Sequence, residues 1–468
     1  MAENRTYDEI AVGDRAQIER VAIANDFVIF AHASGNRNPL HLHEAGEDPR
    51  ETVAPSMWVG SLFSAVLGNL LPGAGTRYQS QTVNIHDRVH AGDQLTISVE
   101  VTETLPEHVV RLQCEVVRKG GGLVCDGEAL VVAPTEKQHI PDSELPRLTV
   151  QSLLKFEALE EHCAGLDPLA TAVVFPTDEA SLGGPVRAAL AGLIRPILVG
   201  PRQAIQQAAE ADGADIGGYE IVDAPDPHAA AARAVALVHE GKAQALMKGN
   251  LHTDELLREV VKADGGLRTS RRISHVFAMD VPGIDELVMI TDAAINIAPD
   301  LKTKVDIVQN AIDLAHALGI PKPRVAILSA VETINMAIPS TMDAAILSKM
   351  AERGQIKGGI VDGPLAMDNA VDLEAAKTKG ITSLVAGRAQ VLVAPNLESG
   401  NMLAKEMTFV AQAEAAGLVL GAKVPIVLTS RADNEEARRA SCVLAVLYEA
   451  WQRTGRSAVP AAGGDPTA

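Results

Sequence analysis

Val110, Leu112, Cys114 and Val116 alternate with Arg111, Gln113 and Glu115. A period of two puts the apolar set on one face and marks a half-buried strand. Three glycines at 120–122 supply a turn, and the segment 123–132 resumes alternation, which predicts a hairpin in an antiparallel sheet. The segment 94–101 alternates in the same way through Leu95, Ile97, Val99 and Val101. From about residue 151 short apolar runs alternate with helical stretches. The runs at 171–175, 196–199, 243–247, 324–328, 389–393 and 425–428 predict strands. Val305, Val308, Ile312 and Ala315 share one helical face, and Gly319 with Pro321 ends that helix.

Strand–helix alternation predicts a mainly parallel sheet with helices on both faces. The chain therefore divides by texture: a small α+β unit at 1–132, a linker at 133–150 carrying Pro134, Pro141 and Pro146, an α/β unit at 151–453, and a Gly/Pro/Ala-rich tail at 454–468 expected to fray.

The length of 468 residues suits two to four domains. Apolar residues make up 47% and aromatics only 3%, so aliphatic side chains must fill the cores. A formal charge of −19 argues against nucleic acid and anionic membrane surfaces as partners. It leaves room for anionic small molecules, because a few placed arginines and backbone N–H groups set the local field. Cys114, Cys125, Cys163 and Cys442 show no metal-ligand spacing, so no metal site is expected. No signal-like leader and no spanning-length apolar run is visible, and a cytoplasmic protein is the expectation.

In α/β sheets ligands bind beyond the carboxyl ends of strands. Four polar stretches occupy such places. Lys248, Asn250, His252 and Thr253 follow the 243–247 strand, either holding a ligand or forming an ordinary turn in which Thr253 caps the next helix. The stretch 362–370 carries Asn369 beside a Gly-Pro turn. The stretch 395–401 carries Asn396, Gly400 and Asn401, with a helix expected to begin near Asn401 and Gly400 leaving N–H groups free for an anion. Ser430 and Arg431 follow the 425–428 strand and would lie at the positive end of the final helix. There Arg431 either binds phosphate bidentately or pairs with Asp433 or Glu436. Gly183–Gly184 lacks the GxGxxG context of a dinucleotide site.

The runs TDAAINIAPDL (291–301), GPLAMDNAV (363–371), PNLESGN (395–401) and LTSRAD (428–433) together resemble the phosphate butyryltransferase branch of the phosphate acetyl/butyryltransferase family, in family order over roughly 150–452. The resemblance implies two α/β subdomains flanking a cleft, a homodimer or higher homo-oligomer, and the reversible reaction acyl-CoA + phosphate = acyl phosphate + CoA. Coenzyme A species and phosphate are then substrates, with no permanently bound cofactor and no metal. It implies that Ser430 and Arg431 contact the reacting acyl group and that Arg258 is a second substrate-binding arginine. The acetyl branch places an Asp, as thiol base, where this chain has Ala437; Glu436 is the candidate in its stead.

Residues 34–41, Ser-Gly-Asn-Arg-Asn-Pro-Leu-His, resemble the Ser-Gly-Asp-x-Asn-Pro-x-His motif of MaoC-like, R-specific enoyl-CoA hydratases. This resemblance implies a hot-dog fold, a helix wrapped by an antiparallel sheet, with His41 catalytic and Asn38 near the substrate. The motif's Asp is Asn36 here, and an amide cannot accept a proton at useful pH. Loss of one acid–base group removes about 10²–10⁴ in rate, so hydration is expected to be weak or absent. The implied protein is a hydratase-like module fused to a phosphate acyltransferase. Two alternatives stay open: a hot-dog module serving only as acyl-CoA sensor or oligomerisation device, and a non-catalytic acyl-CoA-binding protein.

Overall fold

A computed structural model of the chain describes residues 2–36, 38–41, 52–140, 155–428 and 434–461. The chain forms two compact units, Met1–Gln151 and Ser152–Ala468.

In the first unit the strands are β1 (Arg15–Val21), β2 (Arg77–Gln81), β3 (Gln94–Leu105), β4 (Val109–Arg118) and β5 (Leu123–Val132), and the main helices are α1 (Ala24–Ser34) and α2 (Phe63–Asn69). The sheet order is β1-β3-β4-β5-β2 with every pairing antiparallel. The alternation read from sequence is realised: Leu95, Ile97, Val110, Leu112, Cys114 and Val116 all point into the core. Helix α2 lays Phe63, Val66 and Leu67 against β3, and Phe27 of α1 meets Trp58 edge-on at 5.0 Å. This is a helix wrapped by an antiparallel sheet, the hot-dog arrangement.

The second unit is built on one eleven-stranded sheet. Its strands are β6 (Leu169–Val174), β7 (Ile194–Gly200), β8 (Glu220–Asp223), β9 (Ala245–Lys248), β10 (Ser274–Asp280), β11 (Val288–Thr291), β12 (Arg324–Leu328), β13 (Ile360–Leu365), β14 (Val391–Val393), β15 (Glu414–Leu420) and β16 (Ile426–Val427). The helices used below are α3 (Glu179–Leu190), α4 (Thr253–Val260), α5 (Leu301–Ala317), α6 (Leu397–Phe409) and α7 (Glu435–Thr454). The order is β8-β7-β6-β9-β16-β15-β10-β11-β14-β12-β13. Most pairings are parallel, as expected. The centre is not: β16–β15, β15–β10 and β10–β11 pair antiparallel, which divides the sheet into two parallel blocks. Strands buried on both faces read as unbroken apolar runs, and all six residues of β6 are buried. Aliphatic residues and alanine fill these cores.

Several boundaries differ from expectation. The helix expected near Asn401 starts at Leu397, because the Asn396 side chain accepts the Ser399 N–H at 2.9 Å and caps it four residues earlier. The cap position of α4 is His252, whose N–H donates to Glu255 at 2.8 Å, and Thr253 is the first helical residue. Gly183 and Gly184 lie inside α3, where a Cβ on Gly184 would come within 2.7 Å of the Arg438 side chain; they are helix-packing residues. The tail does not fray at Thr454: Ser457 donates to the Ala317 carbonyl at 2.9 Å, and Val459 packs on the core.

Candidate active site

A cavity of about 840 Å³ opens in the second unit where the two parallel blocks meet. One wall is the end of β9 and the start of α4, with Lys248, Leu251, His252 and Thr253. Another is the face of α6 that presents Asn401, Lys405, Thr408 and Phe409. The floor is His275 and Phe277 of β10 with Glu414 and Ala415 of β15. Leu428 and the start of α7, Asn434, Glu436 and Ala437, complete it.

Local chemistry explains each wall. After β9 the chain passes the end of β6 so closely that a Cβ on Gly249 would sit 2.5 Å from the Val174 carbonyl oxygen. Only glycine fits there, and the turn it permits leaves Lys248 nearly buried beside the cavity. On the α6 side, Asp292 organises the segment that follows β11. Its carboxylate accepts N–H groups of His275, Ala294, Ile295 and Asn296 and the Asn296 side-chain amide. Helix α6 then docks on that segment. A Cβ on Gly400 would lie 2.4 Å from the Asp292 carbonyl oxygen, and Asn401 donates to the Ala293 carbonyl at 3.0 Å. At α7 the Asn434 side chain accepts the Ala437 N–H at 2.9 Å, setting the helix start against the cavity. A helix N-terminus favours negative charge.

Lys248, His252, Thr253, Asn401 and Glu436, singled out from three separate stretches of sequence, therefore line one cavity. Ser430 and Arg431 lie outside the described residues; Leu428 before them and Asn434 after them are both on the cavity wall. Other candidates are placed elsewhere. Asn250 donates to Thr177 at 3.3 Å. Arg258 is exposed and pairs with Asp254 at 3.5 Å on the surface of α4. Asn369 is fully buried and donates to Glu332 at 3.4 Å. Asn396 is the α6 cap, and Gly400 serves the close approach to Asp292 instead of an open anion site.

The cavity also holds residues that the sequence pattern did not single out. His275, Phe277 and Glu414 come from β10 and β15, the antiparallel strands absent from the expected set. A histidine inside the apolar run SHVFAMD was the available signal. Burial, with Asp280, Glu436 and Glu157 nearby, raises the Glu414 carboxyl above its ordinary range. Burial pushes the thiols of Cys114, Cys163 and Cys442 up to about 12, so these stay protonated and are not nucleophiles at neutral pH. Among the described residues no cluster of three or more His, Cys, Asp or Glu could hold a metal ion, and no helix is long and apolar enough to cross a membrane.

In the first unit His41 is buried, its Nδ1 2.8 Å from the Val53 carbonyl oxygen. Asn36 accepts the Asn38 N–H at 3.1 Å, and Asn38 accepts the Leu40 N–H at 3.1 Å. Both amides thus hold consecutive turns that lead into His41.

The family model for phosphate acetyl/butaryl transferase matches residues 228–446. The phosphate acetyltransferase of Rhizobium meliloti is 60% identical over 304 residues, covering 65% of this chain and 96% of that protein. A branched-chain phosphotransacylase from Enterococcus faecalis V583 is 31% identical with a TM-score of 0.53, covering 60% of this chain and 99% of its own. The R-hydratase PhaJ1 from Pseudomonas aeruginosa is 38% identical with a TM-score of 0.30, covering 32% of this chain and 98% of its own. The 60% identity over nearly the whole length of that transferase, together with the family model over 228–446, identifies the chain as a member of the phosphate acetyl/butyryltransferase family.

Proposed function

We propose that the second unit transfers an acyl group between coenzyme A and phosphate. One observation carries the reading: residues of the 248–253, 395–401 and 434–437 stretches converge on one cavity at a helix N-terminus. In the forward direction a phosphate oxygen attacks the thioester carbonyl carbon. The C–O bond forms, the carbonyl oxygen becomes an oxyanion, and the C–S bond then breaks with its electron pair leaving on sulfur. Such a site must hold the reacting atoms about 3–3.5 Å apart and neutralise the phosphate. Lys248 and the α7 N-terminus supply positive potential, and Ser430 with Arg431 engages the acyl phosphate. Glu436 shuttles the thiol proton. Glu414 beside it is the alternative carrier, because burial raises its carboxyl above the ordinary range and makes its carboxylate the stronger proton acceptor.

The substrates are small soluble molecules, with no resident cofactor, and we infer a cytoplasmic homo-oligomer. Leu251, Phe277, Ala415 and Leu428 among the walls of the cavity of about 840 Å³ support acyl chains longer than acetyl. For the first unit we propose acyl-CoA binding with hydration impaired, since Asn36 replaces the acid and its amide is spent on a turn.

The test follows thiol release from acetyl-CoA and butyryl-CoA with phosphate, alongside loss of crotonyl-CoA absorbance. Thiol release that is absent, or is unaffected by Arg431→Ala, overturns the transferase reading. Brisk hydration by the unaltered chain overturns the reading of Asn36, whereas hydration gained in Asn36→Asp supports it.

A further inference from the structure

His275 sits on the floor of the cavity, 1% exposed; neither ring nitrogen meets the geometry of a full hydrogen bond among the described residues, and the Leu428 carbonyl is the acceptor that lies near the ring. Buried polar atoms are nearly always partnered, and an exception on a cavity wall marks a group available to a bound molecule. The fold makes room for this ring. Gly417 is the diagonal neighbour on β15, and a Cβ there would lie 2.8 Å from Nε2. Phe277, two residues along the same strand face, holds the imidazole edge-on at 4.3 Å.

We propose that His275 is a catalytic residue whose neutral imidazole donates a hydrogen bond from a ring N–H to the acyl carbonyl oxygen. This rests on the acyltransferase reading and names the group that would meet the developing oxyanion.

Charge balance around the ring supports a neutral donor. Burial pushes the imidazole down to about 4, against the Asp292 carboxylate and the Leu428 carbonyl, which oppose that shift. Asp292 is already taken up by the N–H groups that surround it, including the backbone N–H of His275. The other charged groups on the cavity wall are Lys248 from β9, Lys405 from α6, Glu414 from β15 and Glu436 from α7. A neutral imidazole keeps one N–H and one lone pair. It is too weak a base to take a thiol proton, and it carries no charge with which to hold phosphate. With Phe277, Ala415 and Leu428 around it, it suits a thioester oxygen, neutral in the ground state, on which charge grows only in the transition state.

The experiment uses the full chain and measures thiol release from butyryl-CoA for the unaltered protein, His275→Ala and His275→Gln. Removing one oxyanion donor typically costs about 10²–10³ in kcat. His275→Ala is expected to lose that much with KM for both substrates within about threefold. His275→Gln keeps an N–H and is expected to recover at least about tenfold of the loss. The acid limb of the kcat–pH profile is expected to be the same in the unaltered protein and His275→Gln. Isotope-edited infrared of bound butyryl-CoA reads the hydrogen bond directly: its thioester carbonyl stretch should fall on binding to the unaltered protein and not to His275→Ala. Should His275→Ala not fold, His275→Gln and the infrared shift in the unaltered protein decide. An unaltered protein that releases no thiol overturns the transferase reading. An active protein whose His275 variants stay within threefold, whose carbonyl stretch does not move, or whose acid limb disappears in His275→Gln overturns this proposal.

Discussion

Gly400→Ala tests how the cavity wall is held. Gly400 lies in the first turns of α6, where alanine would ordinarily stabilise a helix by about 1 kcal/mol over glycine. Here the added Cβ would lie 2.4 Å from the Asp292 carbonyl oxygen and 3.1 Å from the Ala394 Cβ. The carbonyl cannot withdraw cheaply, because the Asp292 carboxylate ties the same residue to four backbone N–H groups. Overpacking against a fixed neighbour costs about 1–3 kcal/mol. Against the helix gain, the expected net loss is about 0–2 kcal/mol, at most about 4 °C in Tm for a unit of this size. The helix must instead slide outward, carrying Asn401 away from the Ala293 carbonyl. A displacement near 1 Å at a positioning element costs on the order of 10² in rate, so kcat/KM for thiol release should fall at least about tenfold. Gly68→Ala is the control: this exposed helical glycine has nothing within 4 Å of its added Cβ, and it should gain stability without losing activity. Calorimetry and thiol-release kinetics read both. A Gly400→Ala protein as stable and active as the unaltered chain would refute the packing argument.

Three further outcomes are expected. The His275 imidazole, held at about 4 against an ordinary 6.5, is neutral in the folded state, so its contribution to stability is complete above pH 6.5 and is lost as pH falls toward 4. At ~1.4 kcal/mol per pH unit this loss is on the order of 3 kcal/mol, and urea unfolding of His275→Gln should show a shallower decline over that window. Glu414 has the opposite sign: its raised carboxyl favours the folded state while protonated, and that stability is lost as pH rises through the raised value. Glu414→Gln should therefore unfold at higher urea than the unaltered protein at pH 8 and show no such gain at pH 4. Arg258→Ala, at an exposed ion pair of small worth, should leave Tm within about 1 °C and lower kcat/KM less than tenfold. A larger kinetic loss would return Arg258 to the substrate.

Much of this protein is local in origin. The alternation in β3, β4 and β5 is a property of consecutive residues, because neighbouring side chains on a strand point to opposite faces. Parallel strands such as β6, β7 and β12 announce themselves as apolar runs because both their faces are covered, whereas the edge strand β8 does not. Gly319 and Pro321 end α5 where the pattern says they should. Motifs also survive as short strings, which is why the family was legible in TDAAIN, PNLESGN and LTSRAD.

The tertiary structure decided the rest. Strands β10 and β15 carry polar and small residues, His275, Glu414 and Gly417, whose purpose is the cavity and the space around it, so their strand character is diluted. Gly400 reads in sequence as part of an anion-binding turn, yet it, like Gly249, is required by a backbone carbonyl from a segment far along the chain. Asn369 lies within a convincing motif, and only its burial against Glu332 separates it from Lys248 and Asn401. Sequence by itself determined the strand–helix texture, the six strands of the second unit that read as apolar runs, and the family, because those depend on neighbours along the chain. Which polar groups face a common cavity depends on side chains brought together across the sheet, and only the packed fold supplies that.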